Sequence, residues 1–557
     1  MLNPHVAALL GRRGILQDDY EAFLSPDYDR DIHDPFLFDD MPTAVERIVR
    51  AREAGERISI YGDYDVDGVS AAVILFDVLH TVGCDVSLFF NHREDDGYGL
   101  HKHCIDRIAA DGATLIITTD SGITNAHEIT YAKERGIDTI ITDHHTPPAR
   151  DEDLPPAVAI IHPRVHADRY PWKHLSGGGS AFKFAQALCR SSLERPNDLP
   201  GIAGGSEKWL LDLVALSTSS DCVPLQGENR VLVHYGLKVL QKSRRPGLSA
   251  LMSRVPLYYQ RTILEHIQFG IIPLLNAASR MDHAKLAADV LLARDQTEAE
   301  EACDLLVELN KQRQRLTQKT LKSVPGSVLA NKSIVLAASP SWRLGVLGLV
   351  ANRLVNSYHK PVILVRIGTP HVGVARSTSE VHIAETFGLL SDFFDRFGGH
   401  AGAGGFALKP SVELDAFADA LEHITPVARE ESNDGFEGAF EVSLPDLTHS
   451  FLTDLSRCEP WGPGNPQPCV LLRECSVTQL RTIGARRQWI RMIIIQGAER
   501  ISARMPAKSV PTDFEEGTLF DIICEARLRE WRGVIDRDLT IHSMKYHNPI
   551  QSELIFV

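Results

Sequence analysis

The sequence predicts an α/β protein of several domains that carries a small β-barrel toward its C-terminal end. Apolar segments that end in acidic residues alternate with helical segments early in the chain, a second alternation starts at NKSIVLAASPSW, and short β-like runs follow it. Strands that alternate with helices are typical of parallel sheets. With 557 residues, the chain has room for about three domains.

Four apolar segments predict the strands of the first sheet, and each ends in polar residues. In chain order, these segments are ERISIYGDYDVDG, ATLIITTDSGI, IDTIITDHH and AVAIIHP. The segment VSAAVILFDVLHTVG after the first strand predicts a helix. Because ligands of parallel sheets bind beyond the carboxyl ends of the strands, we expect the polar clusters to converge in space.

Later segments predict a bridging helix, a second α/β unit and the barrel. WLLDLVALSTSSDCVPL predicts a helix that delivers Asp221, and the stretch from Ala284 to Lys322, nearly free of Gly and Pro, predicts one long helix between two domains. The second unit starts with NKSIVLAASPSW and KPVILVRIG and closes at FGGHAGAGGFAL. The barrel strands are predicted at PCVLLREC, QWIRMIIIQ and RDLTIHSM.

We expect five regions along the chain. They are an N-terminal segment at 1–45, a catalytic α/β domain at 46–240, a helical linker at 241–325, a second α/β domain at 326–428 and the barrel at 437–557.

Composition and charge limit the class of protein. Hydrophobic residues at 44% and charged residues at 24% are ordinary for a globular protein, and no apolar run is long enough for a membrane span. Nine cysteines occur without a C-x-x-C pair, which fits a reducing cytoplasm. The net charge of −15 argues against a nonspecific nucleic-acid coat protein, but it is compatible with an enzyme that has a local basic groove.

The stretch YGDYDVDGVSAA concentrates negative charge in one turn, with Asp63, Asp65 and Asp67 at alternate positions. Like charges this close repel each other, so the stretch predicts a bound cation. A calcium loop of the EF-hand type would need a glutamate at its twelfth position, where this chain has Ile74. Further ligands must therefore come from other segments.

The predicted metal site draws on separate segments and consists of Asp65, Asp67, Asp120, His144 and Asp221. Carboxylate oxygens suit Mg²⁺ or Mn²⁺, and the imidazole favours Mn²⁺. Two such ions can activate a water and hold a phosphodiester. The alternative is a turn followed by a helix N-cap, which explains a single aspartate but not several clusters. Because neighbouring side chains of an extended segment diverge, we expect one of His144 and His145 to bind metal and the other to face the substrate.

Three features of the later segments point to phosphate binding. The glycine-rich stretch Gly398–Gly405 lets the backbone approach a phosphate closely, with His400 as a donor. Arg280 in NAASRM and Arg376 in VARSTS could each bind a phosphate oxygen. The alternatives are a tight turn for the glycines and surface ion pairs for the arginines.

The motifs YGDYDVDG, TTDSGI, TDHH and FGGH, in this order, resemble those of the DHH phosphoesterase superfamily with a C-terminal DHHA1 domain. Further segments resemble the bacterial single-stranded-DNA-specific 5′→3′ exonucleases of that superfamily: RGILQDDYEAFLSP, DDGYGLHKH, LSGGGSAFKFAQAL, SDCVPLQGENRVLVHYGL and PWGPGNPQP. The resemblance covers nearly the full length. It implies a parallel-sheet DHH catalytic domain, a long bridging helix, a DHHA1 domain and a C-terminal OB-like β-barrel.

The resemblance also implies roles for individual residues. The metal ligands of the family match Asp65, Asp67, Asp120, His144 and Asp221. Supporting positions around the metal and the scissile phosphate match Asp63, Asp143 and His145, and we count His145 among the catalytic residues. Contacts to phosphate and to the strand match Arg280, Arg376, Ser377 and His400, and a residue near the 5′ end of the strand matches Arg93.

Three positions depart from the family pattern. Ser279 in NAASRM stands where a glycine is usual, and Arg343 in SWRLGVLG stands where a histidine is usual. The stretch TSSDCVPL replaces the usual G-T-V-A-D-x-V-P-L. The metal set survives these departures, so we expect them to affect strand binding rather than hydrolysis.

The resemblance implies a metal-dependent exonuclease that degrades single-stranded DNA from its 5′ end to 5′-mononucleotides, in recombination and repair. It implies Mg²⁺ or Mn²⁺ as a pair of ions, a cytoplasmic monomer without a membrane partner, and a single-strand binding protein and a helicase as partners. One alternative is a DHH phosphodiesterase of short oligoribonucleotides, cyclic dinucleotides or pyrophosphate, and the OB-like tail argues against it. The other is an inactive DNA-binding scaffold, and the retained ligands argue against that.

Overall fold

The computed structural model describes residues 2–165, 169–242, 244–255, 262–325, 334–428, 439–484, 487–511, 514–531 and 533–547. The predicted boundaries at 326 and 437 lie outside these residues. The chain divides into two compact units, of which one comprises Met1–Ile32, Pro224–His234 and Asp434–Val557, and the other comprises His33–Val223 and Tyr235–Asn433. Within the described ranges, every helix is too short or too polar to cross a membrane.

Three short helices open the chain: α1 (Pro4–Arg12), α2 (Tyr20–Leu24) and α3 (Tyr28–Asp31). Asn3 caps α1, because its side chain accepts the backbone N–H of His5 at 3.0 Å. Single 3₁₀ turns occur at Gln17–Asp19, Pro35–Leu37, Asp151–Asp153, Ser206–Leu210, Ser391–Phe393, Leu444–Asp446 and Ala507–Ser509.

The first sheet contains five parallel strands in the order β2-β1-β3-β4-β5. They are β1 (Arg57–Gly62), β2 (Asp85–Phe90), β3 (Ala113–Thr119), β4 (Asp138–Thr142) and β5 (Ala159–Ile161). The four predicted strands are all present. Strand β2 was not predicted, because it is an edge strand whose residues are mostly half-buried and its hydrophobic pattern is weak.

Six helices belong to this sheet region: α4 (Met41–Glu53), α5 (Val66–Thr81), α6 (Lys102–Ala110), α7 (Ala126–Glu134), α8 (Gly177–Glu194) and α9 (Leu211–Ser220). Helix α5 packs against α8 and α9 and is buried without interruption from Val66 to Leu75. It therefore lacks the amphipathic pattern of a surface helix. Helix α9 ends directly before Asp221, as predicted.

A helical region follows, made of α10 (Gly227–Gln241), α11 (Pro246–Arg254), α12 (Ile263–His266), a π-helical turn (Ile267–Ile271), α13 (Ile272–Met281), α14 (Lys285–Leu292) and α15 (Gln296–Ser323). The prediction of one helix from Ala284 to Lys322 was wrong at its start. The chain leaves helical geometry at Ala293, and the side chain of Asp295 caps a new helix by accepting the N–H of Glu298 at 2.9 Å. The long helix is α15, with 28 residues.

The second sheet has the order β6-β7-β8-β10-β9. Its strands are β6 (Val335–Ser339), β7 (Val362–Arg366), β8 (Val372–Arg376), β9 (Phe394–His400) and β10 (Ala403–Leu408), and its helices are α16 (Leu344–Tyr358), α17 (Ile383–Gly388) and α18 (Leu414–His423). Only β6 and β7 pair in parallel, and the other pairs are antiparallel. The glycine-rich motif FGGHAGAGGFAL forms the hairpin of β9 and β10.

The C-terminal barrel closes through five strands, because β12 pairs with both β13 and β15. Its elements are β11 (Phe440–Glu441), α19 (His449–Ser456), β12 (Val470–Ile483), β13 (Trp489–Gln496), β14 (Glu499–Pro506), β15 (Leu519–Trp531) and β16 (Val534–Tyr546). The barrel core also takes in Val6, Leu9, Leu10 and Leu24 from the N-terminal helices. These helices therefore bury their apolar faces in the same unit as the barrel.

Candidate metal centre

The polar clusters of three neighbouring strands meet at the carboxyl edge of the first sheet. The backbone ladder continues past the strand ends, since the N–H of Asp63 donates to Thr119 at 3.2 Å and the N–H of Asp120 donates to Thr142 at 2.9 Å. The N–H of Asp143 extends the same ladder. Because parallel strands run in register, these residues lie side by side although they are far apart in sequence.

His144 lies at the centre of the cluster. Its Nε2 is 3.1 Å from Asp120 Oδ1, 3.6 Å from Asp221 Oδ2 and 3.8 Å from Asp67 Oδ2. Potential ligand atoms fall within 4.8 Å of one another in three overlapping groups: Asp67, His144 and Asp221; Asp63, Asp65 and Asp120; and Asp120, His144 and His145. Asp120 belongs to two of these groups, which is the arrangement that two neighbouring cations would need.

Three buried atoms in this cluster lack hydrogen-bond partners among the described residues. They are Asp63 Oδ1, Asp120 Oδ1 and His144 Nε2. Unpaired buried polar atoms are costly and rare, so three at one place call for a partner of another kind. Carboxylate oxygens with one imidazole are a donor set that suits Mg²⁺ or Mn²⁺. The residues therefore fit a divalent cation.

Burial and mutual repulsion raise the pKa of the clustered carboxyl groups. The pKa of Asp63 rises to about 8, first because of burial and then because of the charge of Asp65. Burial and the charge of Asp67 likewise raise the pKa of Asp221 to about 8. For Asp120, burial raises the pKa well above its usual value. For His144, burial and the neighbouring His145 lower the pKa to about 3, so its imidazole is neutral and able to bind metal.

These shifts predict that metal binding releases protons. At neutral pH, Asp63 and Asp221 are largely protonated without metal, and a cation must displace those protons. Below about pH 8, the affinity for Mn²⁺ should rise about tenfold per pH unit for each proton released. Calorimetric titrations at about pH 6 and about pH 8, in buffers of different ionisation enthalpy, measure both quantities. Equal affinity at both pH values, with no proton release, would contradict the prediction.

The N-cap interpretation also holds for one aspartate. Asp65 caps α5, because its Oδ1 accepts the N–H of Asp67 at 2.9 Å and that of Gly68 at 3.3 Å. A Cβ at Gly68 would lie 2.6 Å from the carbonyl oxygen of Asp63, so only glycine allows this turn. The cap and the metal hypothesis are compatible, since the cap holds the Asp65 carboxylate beside its neighbours.

The groups that hold the Asp67 carboxylate were not predicted from the sequence. Its two carboxylate oxygens accept the backbone N–H of Gly177 at 2.9 Å and of Gly178 at 2.8 Å, at the N-terminus of α8. The hydroxyl of Ser217 donates to the same carboxylate. Charge-assisted bonds to a helix N-terminus stabilise the ionised form, but burial dominates and raises the pKa of Asp67 to about 6. The signal was the triplet GGG in LSGGGSAF.

His145 has a partner of its own. Its Nδ1 lies 2.8 Å from Asp143 Oδ1, and the same oxygen accepts the backbone N–H of both histidines. Burial alone would lower the pKa of His145, but the Asp143 carboxylate outweighs it and raises this pKa to about 9. Burial would raise the pKa of Asp143, but the charge of His145 outweighs burial and holds this pKa below its usual value. His145 is therefore a cation at neutral pH, and its ring centroid lies 6.2 Å from that of His400.

Two further residues, which follow the next strand of the sheet, hold the backbone of His144 and His145. His162 Nε2 donates to the carbonyl of His145 at 2.7 Å, and its Nδ1 accepts the N–H of Arg164 at 3.1 Å. The guanidinium of Arg164 donates to the carbonyl of His144. Both follow β5, in the segment IIHPR, where a histidine and an arginine after an apolar strand were the available signal.

Four of the predicted strand-binding residues make defined contacts in the structure. The Arg93 guanidinium lies over Tyr64, 3.9 Å from the ring centroid, and Arg280 Nη1 donates to Gly345 at 3.0 Å. Arg376 Nη1 donates to its neighbour Ala375. Burial first, then the charges of Arg93, Arg313 and Arg376, lowers the pKa of Arg280 to about 9. Clustered, buried positive charge of this kind fits a phosphate. The Ser377 hydroxyl donates to Val381 at 2.9 Å.

Family models match three parts of the chain. The model for the DHH family, N-terminal domain, matches residues 57–218, the DHHA1 domain matches residues 331–426, and the RecJ OB domain matches residues 439–543. The matched parts coincide with the first sheet, the second sheet and the barrel.

Several curated proteins similar to this chain carry the name single-stranded-DNA-specific exonuclease RecJ. The protein from Bacillus subtilis (strain 168) is 33% identical over 544 residues, which cover 96% of this chain and 66% of that protein. The protein from Dickeya dadantii (strain 3937) is 31% identical over 485 residues, which cover 83% of this chain and 82% of that protein. This chain thus spans 66% of the length of the Bacillus relative.

Solved structures agree with these similarities. The crystal structure of RecJ in complex with Mn²⁺ from Thermus thermophilus is 27% identical, with a TM-score of 0.79 over 98% of this chain and 76% of that one. The crystal structure of exonuclease RecJ bound to manganese is 32% identical, with a TM-score of 0.57 over 69% of this chain and 93% of that one. Both of those proteins were crystallised with manganese.

Proposed function

This chain belongs to the RecJ family of DHH phosphoesterases, and on that premise we propose that it is an exonuclease that hydrolyses single-stranded DNA with Mg²⁺ or Mn²⁺ as cofactor. It acts from the 5′ end and releases 5′-mononucleotides. The observation that carries the proposal is the cluster around His144, in which buried acidic and imidazole atoms from separate strands lack partners. Such a donor set can hold the metal ions of a phosphodiester hydrolase.

The chain's own residues have distinct roles in this proposal. The ions are held by Asp65, Asp67, Asp120, His144 and Asp221. When bound, they lower the pKa of a water and neutralise phosphate charge. Asp63 adds negative charge beside them, and Asp143 holds both histidines by their backbone N–H groups.

His145 is the residue we propose for direct contact with the scissile phosphate. It carries a positive charge at neutral pH, and Asp143 fixes its ring by accepting from Nδ1. The other ring nitrogen is then a donor for a phosphate oxygen, which gains negative charge in the transition state. Phosphates of the strand are bound by His400, Arg280, Arg376 and Arg93. Ser377 positions its own loop beside them, through its bond to Val381.

Family membership further supports a setting in recombination and repair in the cytoplasm. A monomer that works with a single-strand binding protein and a helicase fits this setting. The five regions expected from the sequence, from 1–45 to 437–557, remain our proposed division of the chain.

The test of the proposed function is a comparison of substrates. Purified protein with Mn²⁺ should degrade a long single-stranded DNA, and it should leave a cyclic dinucleotide, a short oligoribonucleotide and pyrophosphate intact under the same conditions. Faster turnover of any of these three compounds than of DNA would replace the proposal with the corresponding DHH phosphodiesterase.

The barrel predicts a second test, on binding. Trp489 and Arg491 lie on the outward face of β13, because the alternate residues Met492 and Ile494 are fully buried in the core. Stacking on an aromatic ring is worth about 1–3 kcal/mol per base, so Trp489→Ala should weaken binding of single strands about tenfold. A fluorescence titration over a salt series measures it, with Tyr358→Ala as the control outside the barrel. Unchanged affinity would show that this face does not bind the strand.

A further inference from the structure

Glu94 connects the first α/β domain to the first turn of α16. Its side chain is only 14% exposed. Its Oε1 accepts the backbone N–H of Gly345 at 3.1 Å and lies 3.5 Å from Arg343 Nε, while its Oε2 lies 3.7 Å from Arg366 Nη1. A mostly buried carboxylate that accepts from the N-terminus of a helix and lies beside two guanidinium groups stabilises this position of the turn.

The residue before Glu94 is joined to the metal loop. The Arg93 guanidinium lies over the ring of Tyr64, the residue between Asp63 and Asp65. Its Nε donates to the hydroxyl of Ser279 at 3.3 Å, at the end of α13. Two consecutive residues therefore contact the metal loop on one side and α16 on the other.

The first turns of α16 in turn hold two arginines of the strand-binding set. A Cβ at Gly345 would lie 2.2 Å from the carbonyl oxygen of Arg280, and one at Gly348 would lie 2.8 Å from Arg376 Nη2. Arg280 also donates to the carbonyl of Gly345 at 3.0 Å. These contacts leave no space, so a displacement of this turn would displace both arginines.

We infer that Glu94 is a positioning residue that, paired with Arg343, holds the first turn of α16 and thereby aims Arg280 and Arg376 at the strand. It sets the affinity for DNA and takes no part in hydrolysis. The inference rests on the proposed function. It also accounts for Ser279 and Arg343, the two single-residue departures from the family pattern, because both contact the pair Arg93–Glu94.

The test is a double-mutant cycle on the full-length protein. Glu94→Gln keeps an oxygen for the N–H of Gly345 but removes the charge, and Arg343→Met removes the other half of the pair. We expect each change to raise KM for single-stranded DNA about fivefold, because the ion pair is lost in both variants and the N–H of Gly345 donates to a neutral group in Glu94→Gln. The turnover number should stay within about twofold, and the double variant should be no worse than the poorer single one.

Hydrolysis of a small phosphodiester, thymidine 5′-(4-nitrophenyl phosphate), measures the activity of the metal centre without a contribution from strand binding. Its hydrolysis should be unchanged in all variants, and Glu385→Gln, on the exposed surface of α17, should leave both substrates unaffected. A KM unchanged in Glu94→Gln, or additive effects in the double variant, would overturn the inference. A parallel loss on the small ester would do so as well, since it would place Glu94 in the metal centre.

If Glu94→Gln fails to fold, Arg343→Met still tests the inference, because Arg343 is exposed and its replacement should not prevent folding. Arg343→Met must then raise KM by itself. Wild-type protein that cleaves no DNA would refute the proposed function. Active wild-type protein with unaffected variants would refute only the inference.

Discussion

Replacing Asp120 with alanine should abolish hydrolysis of single-stranded DNA while binding of the strand persists. Asp120 belongs to two of the three groups of potential ligand atoms, and its Oδ1 lies 3.1 Å from His144 Nε2. Its loss would remove a potential ligand from both of these groups at once. Metal activation is worth several kcal/mol, so at about 1.4 kcal/mol per factor of ten the rate should fall by at least about 10³-fold.

Two further variants make this result specific. Asp120 has a positive φ of 59°, which asparagine tolerates better than alanine, so Asp120→Asn separates loss of the carboxylate from strain in the backbone. Asp289→Ala removes an exposed carboxylate that pairs with Lys285 on the surface of α14, and it should leave the rate unchanged. Near wild-type cleavage by Asp120→Ala in Mn²⁺ would refute the metal site.

Gly177→Ala should also cause a large loss of hydrolytic activity, although Gly177 lies outside every acidic motif. A Cβ at this position would lie 2.6 Å from both Cβ and Oδ1 of Asp120. It would also disturb the bond from the Gly177 N–H to Asp67. We expect up to about 10²-fold lower activity, the upper end of the loss typical when a supporting group of a metal site is removed, together with weaker Mn²⁺ binding.

The neighbouring glycine provides the matched control. A Cβ at Gly179 would lie no closer than 3.3 Å to Leu175 and Ser176, so Gly179→Ala requires only a small adjustment in the same helix. Circular dichroism should show both variants folded, and calorimetry should show that only Gly177→Ala has lost affinity for Mn²⁺. Full activity in Gly177→Ala would mean that the first turn of α8 does not shape the site.

The convergence of the acidic residues was predictable because it follows from the sheet topology. Asp63, Asp120 and Asp143 end three parallel strands, and such ends meet at one edge of a sheet. The support of Asp67 was not predictable, since backbone N–H groups leave no mark in the sequence and Ser217 resembles any helical serine. The different roles of the two histidines were expected in kind, but only the structure shows that His145 pairs with Asp143.

The fold was predictable where the hydrophobic pattern is strong. Strands β1, β3, β4 and β5 are continuous apolar segments, whereas the edge strand β2 is half-buried and was missed. The break before α15 was also missed. Asp295 lies in a polar stretch, and only the structure shows that its side chain caps the N-terminus of α15. The N-terminal helices contact barrel residues that are more than four hundred positions away in the sequence. A single sequence gives no signal for such a contact.

The most direct test of the account is the polarity of degradation. Duplexes with a 5′ overhang, a 3′ overhang or blunt ends, labelled at either end, would be incubated with the protein and Mn²⁺. Under the proposed function, Arg93, Arg280 and Arg376 bind one strand and cleavage starts at its 5′ end. The account therefore predicts digestion of the 5′ overhang with immediate release of a 5′-labelled mononucleotide. The 3′ overhang and the blunt duplex should stay largely intact. Equal digestion of both overhangs would contradict a 5′→3′ exonuclease and indicate an unselective phosphodiesterase.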